Sequence, residues 1–199
     1  MKQWLVIAVS LLLTACSLTT PVKIPPLKTY LLMGPGPSEP LTLKKKPGKT
    51  LVLSIPRVNP WLNTSQMAYQ LAPDQLAYFT QNRWAAPPAV QLQPILAEAL
   101  QQAGLYRVVS LSASTTAIDQ RLDLNLLAMQ QLFYGPKSYY LLKLRAQLIS
   151  EKTQRILASR VFTLTVPAAT ANPQGGVTAA NAAVAALITD LVNFCRPYA

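Results

Sequence analysis

Leu142-Lys143-Leu144-Arg145-Ala146-Gln147-Leu148 decides the fold, because apolar and polar residues alternate strictly along it. A period of two places one set of side chains in a core and the other toward water, the signature of a half-buried strand. The same alternation flanks it on both sides. Leu122, Leu124 and Leu126 alternate with Asp123 and Asn125, and Phe162, Leu164 and Val166 alternate with Val161, Thr163 and Thr165. Gly135-Pro136-Lys137-Ser138 separates the first pair of segments and Glu151-Lys152-Thr153-Gln154 the second, so the spacing predicts a meander of antiparallel hairpins. One face of that sheet is polar enough to meet water or a partner.

Further strands are expected upstream. Tyr30 to Met33 and Leu51 to Val58 are apolar runs, and a long connection containing Gly34-Pro35-Gly36-Pro37 lies between them. Tyr106 to Val109 reads as one more short strand, and residues 59–87 read as a connection. Two helices complete the pattern. Leu92, Leu96, Ala99, Leu100 and Ala103 keep helical spacing, with Gly104 placed as a C-terminal cap. Pro94 conflicts with a helix interior, where it costs about 3 kcal/mol, so this helix either begins near Pro94 or kinks there. Val177, Ala180, Val184, Leu187, Ile188, Leu191 and Phe194 form a single stripe after the Pro173-Gln174-Gly175-Gly176 breaker. The expectation is an α+β domain of two layers, mostly antiparallel sheet with two main helices packed on one face.

The N-terminus carries a different kind of signal. Lys2 is followed by an apolar segment from Trp4 to Leu13, and Leu13-Thr14-Ala15-Cys16 closes it with small residues before a thiol. This reads as a bacterial lipoprotein signal peptide over 1–15, because cleavage needs small side chains and the cysteine carries the diacylglycerol. An uncleaved anchor or an ordinary secretory signal is the alternative, but a spanning helix wants about 20 apolar residues. Acylated Cys16, palmitate included, would tether the protein stably without spanning. Ser17 follows, where aspartate would signal retention at the inner membrane, so delivery to the periplasmic face of the outer membrane is expected. Residues 16–27, with Pro21, Pro25 and Pro26, form a tether; the eleven residues after Cys16 reach at most roughly 35–40 Å. The remaining residues, 28–199, are read as one domain.

Composition narrows the function. Removing 1–15 from the 199 residues leaves enough chain for one real core. The net charge is +11, yet the basic residues are scattered, and export argues against nucleic acid as a partner. Lys44, Lys45 and Lys46 are the dense basic run, read either as a solvated loop or as a contact for anionic headgroups or an acidic partner. There is no histidine, and with Cys16 acylated only Cys195 remains, so an intramolecular disulfide is excluded. Cys195 ends the apolar helix and is expected to be buried and structural. The seven carboxylates form no metal-ligand spacing, and Asp119 with Asp123 reads as ordinary surface charge. No phosphate loop or dinucleotide fingerprint follows a strand. No catalytic, metal or cofactor site is expected, and the chain is not read as an enzyme.

The segment 51–109 holds Ile55-Pro56-Arg57-Val58-Asn59-Pro60-Trp61-Leu62-Asn63, Gln66-Met67-Ala68-Tyr69, Leu76-Ala77-Tyr78 and Asn82-Arg83-Trp84-Ala85 ahead of the first helix. Together with Tyr30-Leu31-Leu32 before Pro35, the alanine-rich C-terminal helix and the lipobox, this order resembles the PqiC-like ABC-type transport auxiliary lipoprotein family. In many members of that family an acidic residue follows the Trp-Ala and precedes the proline, where this chain has Ala86. The resemblance implies a non-catalytic outer-membrane lipoprotein that partners an MCE-domain protein in intermembrane lipid transport. It also implies a two-layer domain and homo-oligomeric assembly into a ring. Trp61, Arg83 and Trp84 are candidate interface residues because tryptophan and arginine are enriched at interface hot spots; the other reading is that the tryptophans seal the core. A stand-alone lipoprotein that binds lipid or another small hydrophobic ligand is the alternative function, and it would need a ligand-sized apolar cavity.

Overall fold

The computed structural model describes residues 25–34, 48–112 and 117–199. Three long strands form its frame: β7 (Gln120–Tyr134), β8 (Lys137–Ser150) and β9 (Arg155–Pro167). They pair antiparallel in sequence order, Leu124 facing Ala146 and Leu144 facing Phe162, as the alternation requires. Leu142, Leu144, Ala146 and Leu148 are fully buried, while Lys143 and Arg145 between them are exposed. The β7–β8 loop is only Gly135-Pro136, since Tyr134 already pairs with Lys137. Gly135 has φ +59°, and proline cannot follow with positive φ, so the loop is a type II′ turn that suits the strand twist.

The other edge of β7 is shared by three strands in succession. Its start pairs parallel with β2 (Thr50–Leu53), its middle with β3 (Arg57–Val58) and its end with β4 (Gln66–Ala72). β2 continues outward to β6 (Val108–Ser110), and β4 continues to β5 (Gln75–Trp84) and then β1 (Lys28–Tyr30). The expectation of a mostly antiparallel sheet is therefore corrected. Among the described strands five pairings are parallel and three antiparallel, giving a mixed sheet. Short strands arriving from separate crossovers all lie along one side of β7, and strand alternation carries no information about their direction.

Several local expectations change for physical reasons. Leu51 to Val58 is two strands, because Pro56 lacks an N–H and constrains the residue before it. Four residues separate Leu53 from Arg57 while three separate their partners Leu122 and Asn125, so the chain bows out at the proline. Residues 59–87 are no mere connection. They hold the β4–β5 hairpin, whose Pro73-Asp74 turn was the available signal. The strand expected over Tyr30 to Met33 ends at Tyr30 instead. Beyond it the Leu32 N–H donates to Gln91 Oε1 at 2.9 Å and the Met33 N–H to Asn181 Oδ1 at 3.0 Å, so side chains from two helices replace the ladder.

Those helices are α1 (Pro88–Gln102) and α2 (Pro173–Cys195). α1 starts earlier than expected, with Pro88 at its first position, where a missing N–H is harmless, and Pro94 inside it. Gly104, φ +64°, follows its C-terminal turn. Three glutamines on α1 bond backbone groups in or beside strands: Gln91 at Leu32 just past β1, Gln93 Nε2 donating to the Leu53 carbonyl at 3.0 Å, and Gln101 Oε1 accepting from the Val109 N–H of β6 at 2.7 Å. α2 packs on β8, β9 and α1. Val177, Ala180, Val184, Leu187 and Leu191 are buried, Ile188 and Phe194 are partly buried, and the Phe194 ring meets Phe162 edge-on. By length and composition this helix could cross a membrane, but its stripe is the core of the domain.

The start of α2 is a close joint. Asn172 Oδ1 accepts from the Gly175 N–H at 2.9 Å, an N-cap bond. A Cβ on Gly175 would lie 2.1 Å from the Thr170 carbonyl oxygen, a backbone atom that cannot swing aside. Gly175→Ala is expected to destabilise the fold by about 1–3 kcal/mol through overpacking, read as a lower denaturant midpoint at unchanged slope.

The end of α2 buries Cys195 as the free thiol among the described residues. Burial pushes its pKa from 9.0 up to about 11, opposed in part by the neighbouring Tyr106 hydroxyl. That hydroxyl has no partner of full hydrogen-bond geometry and is itself raised, chiefly by burial. The thiol keeps its proton in the folded state after the unfolded chain has lost it. Its stabilisation is thus complete below the ordinary thiol pKa and declines as pH rises from about 9 toward 11. Denaturant titrations across this range should fall with pH, and Cys195→Ala should flatten the part of that slope below pH 10.

Candidate interaction surface

The face of the β7–β9 meander opposite the leucine core is polar. Lys143 and Arg145 on β8 stand beside Thr163 and Val161 on β9, all exposed. At one end Arg121 joins two carboxylates, its Nε donating to Asp123 Oδ1 at 3.0 Å and its NH1 to Glu151 Oε1 at 2.7 Å. Arg57 adds a long contact of 3.9 Å to Asp123 and is 82% exposed, so this outer pair contributes little to stability. Asp119 does not join Asp123. Its Oδ2 accepts from the Thr50 N–H at 2.8 Å and holds β2 in register. Among the described residues no group of three cysteine, aspartate or glutamate side chains is placed to hold a metal. The described residues of this face present charge and hydrogen bonds.

Among the described strands β9 is an edge strand, pairing with β8 alone. Among the described residues the backbone groups on its far side, carried by alternate residues, have no ladder partner, and Ile156, Leu157 and Val161 are exposed. Such an edge is a template for strand addition unless it is covered. Its arginines Arg155 and Arg160 are exposed, and Arg160 lies over the Phe162 ring at 5.0 Å.

The three candidate interface residues part company. Trp84 is 1% exposed at the end of β5 and belongs to the core, which corrects its placement among side chains offered to a partner. Its large ring is what seals the sheet where the chain turns into α1. Arg83, next to it, is exposed on the same strand, and its Nε reaches Thr29 Oγ1 at 3.4 Å. Trp61 sits half-buried in a 3-10 turn, Pro60–Leu62, packed against the core, and its carbonyl accepts from the Tyr78 hydroxyl at 2.8 Å. No hydrogen bond or ring contact joins Trp61 to Arg83 among the described residues. Strand alternation could have separated Arg83 from Trp84, had residues 75–84 been read as a strand. Cys16, Ser17, Lys44, Lys45 and Lys46 lie outside the described residues.

The family match comes from the sequence and the fold match from solved structures. A family model described as ABC-type transport auxiliary lipoprotein component matches residues 30–192. The crystal structure of a Xanthomonas campestris protein superposes with a TM-score of 0.72 at 19% identity, covering 85% of this chain and 95% of that one. A second crystal structure, of an uncharacterized protein, gives a TM-score of 0.66 at 15% identity, covering 85% of this chain and 99% of the other. At such identities these likenesses show the fold alone. No curated protein matches the chain. With the family match running from β1 almost to the end of α2, the chain belongs to the ABC-type transport auxiliary lipoprotein component family.

Proposed function

We propose that this protein is a lipid-anchored, non-catalytic adaptor of an ABC-type transport system, secured by Cys16 to the periplasmic face of the outer membrane after removal of residues 1–15. It docks on a periplasmic MCE-domain partner in a system that moves lipid between membranes. The observation that carries this reading is the uncovered polar face and free β9 edge on a domain of the auxiliary lipoprotein family. A protein that works by holding others needs surface more than a reactive cluster. Asp123 and Glu151 are held by Arg121 and Asp119 by the Thr50 backbone, while Lys143, Arg145, Arg155 and Arg160 stay exposed.

Self-assembly into a ring belongs to the same reading. The β9 edge supports it, since backbone groups left free on one copy can be completed by another. Arg83 and the half-buried Trp61 lie in or beside the partner contact, and Trp84 holds that region in shape from below.

In-cell crosslinking of the lipidated chain, tagged at its C-terminus, should recover an inner-membrane-anchored MCE-domain protein together with crosslinks between copies. Trp61→Ala and Arg83→Ala should each lower that recovery several-fold while the thermal midpoint of Arg83→Ala stays unchanged. Recovery of bound lipid with no protein partner would overturn the adaptor reading in favour of a carrier acting alone.

A further inference from the structure

Strand directions gather three features at one end of the sheet. β4 runs parallel to β7, so the β4–β5 turn at Pro73-Asp74 and the β7–β8 turn at Gly135-Pro136 project side by side. Leu71 is 64% exposed, Leu76 36% and Tyr134 62%, and Tyr134 is braced edge-on against Tyr139 at 6.0 Å. Asp74 and Lys137 are the charges on these two tips, and they cancel. The opposite end of the meander is different. Its turn is Glu151-Lys152-Thr153-Gln154, four polar residues beside the Arg121 ion pairs, and the exposed Ile156 lies past it on β9 and not on the tip.

β1 supplies the third feature. It runs parallel to β5, which leaves the Pro73-Asp74 turn and travels away from it. The chain therefore enters β1 from the side of the apolar tips. Lys28 pairs with Asn82, seven residues along β5 from Gln75, which is about 24 Å at strand rise. The eleven residues from Ser17 to Leu27 reach at most roughly 35–40 Å. A membrane anchor at Cys16 can thus lie level with the tips, with little chain to spare.

We propose that the two hairpin tips, through Leu71, Leu76 and Tyr134, rest in the surface of the lipid bilayer that holds Cys16. This rests on the proposed acylation of Cys16. Leucine and tyrosine side chains at a projecting tip suit the interfacial zone, where an aromatic ring keeps its hydroxyl in water, and the Lys137 ammonium reaches lipid phosphate. The contact fixes the long axis of β7 upright on the membrane, turning the Arg121 end and the C-terminus away from it. One acyl-anchored residue alone would leave the domain free to tumble on its tether; a second contact 24 Å or so from β1 removes that freedom.

The test uses the lipidated chain purified from envelopes and reconstituted in phosphatidylethanolamine–phosphatidylglycerol vesicles. Leu71→Cys, Tyr134→Cys and Thr153→Cys each receive a polarity-sensitive fluorophore, and quenching by doxyl-labelled lipid is measured. All three sites are exposed, so the fold tolerates the label, and Cys195 is buried. Quenching at residues 71 and 134 at least twofold above residue 153 is expected. Equal quenching at the three sites, in a chain whose intact mass shows lipid on Cys16 and which floats with vesicles, overturns the tip contact and leaves the anchor standing. The same holds for tips that crosslink to protein and are not quenched. A mass without lipid and a chain that does not float overturn the anchor and the tip contact together.

Discussion

Burial of the α2 stripe against the leucine face of β8 and β9 is the constraint on which the rest of the molecule depends. Val184, Leu187 and Leu191 on the helix meet a sheet face made of Leu142, Leu144 and Leu148, all without solvent contact. Each fully buried aliphatic side chain contributes about 1.5–3 kcal/mol by leaving water. Small residues make the contact close: Ala180 and Ala183 on the helix are buried, as is Ala146 on β8. Once this face is covered, the opposite face of the same strands must be polar. The surface available to partners is a consequence of the core and not an addition to it.

Side-chain amides do what regular hydrogen bonding cannot at the joints. Gln91, Gln93 and Gln101 tie α1 to backbone groups in or beside three strands. Gln131, buried in β7, donates to Ser138 Oγ at 2.9 Å and to the Asn172 carbonyl at 3.2 Å, joining the β7–β8 hairpin to the start of α2. Leaving such groups unsatisfied in a dry interior costs about 1–3 kcal/mol each. Glutamine on α1 is therefore a structural residue: three of the four bond backbone groups in or beside neighbouring strands, and Gln102 bonds Glu98 on the same helix.

The proposed adaptor role draws on what the described residues leave at the surface. The one described free thiol is buried and keeps its proton, Asp123 and Glu151 are engaged with Arg121 and Asp119 with the Thr50 backbone, and the described surface offers an edge strand, a polar face and apolar turns. The edge and the face open sideways while the tips point along β7, so neighbours and membrane can be met at once without competing for the same residues.

Local period and amphipathic stripes were enough to read the meander, both helices, the buried character of Cys195 and the polar outer face from the residues alone. Leu142 to Leu148 and Val177 to Leu191 show it directly. The motif order across 51–109 also carried the family. Only the tertiary structure decided the strand directions, since parallel pairing of β2, β3 and β4 on β7 depends on crossovers that leave no mark on alternation. It decided too that the inward parity of β7 switches at a bulge between Leu126 and Ala128, so that Met129 and Gln131 face inward after Leu126. Trp84 and Arg83 make the same point at single-residue scale. Neighbours in sequence, they fall on opposite sides of one strand, and which side is core is set by what packs there.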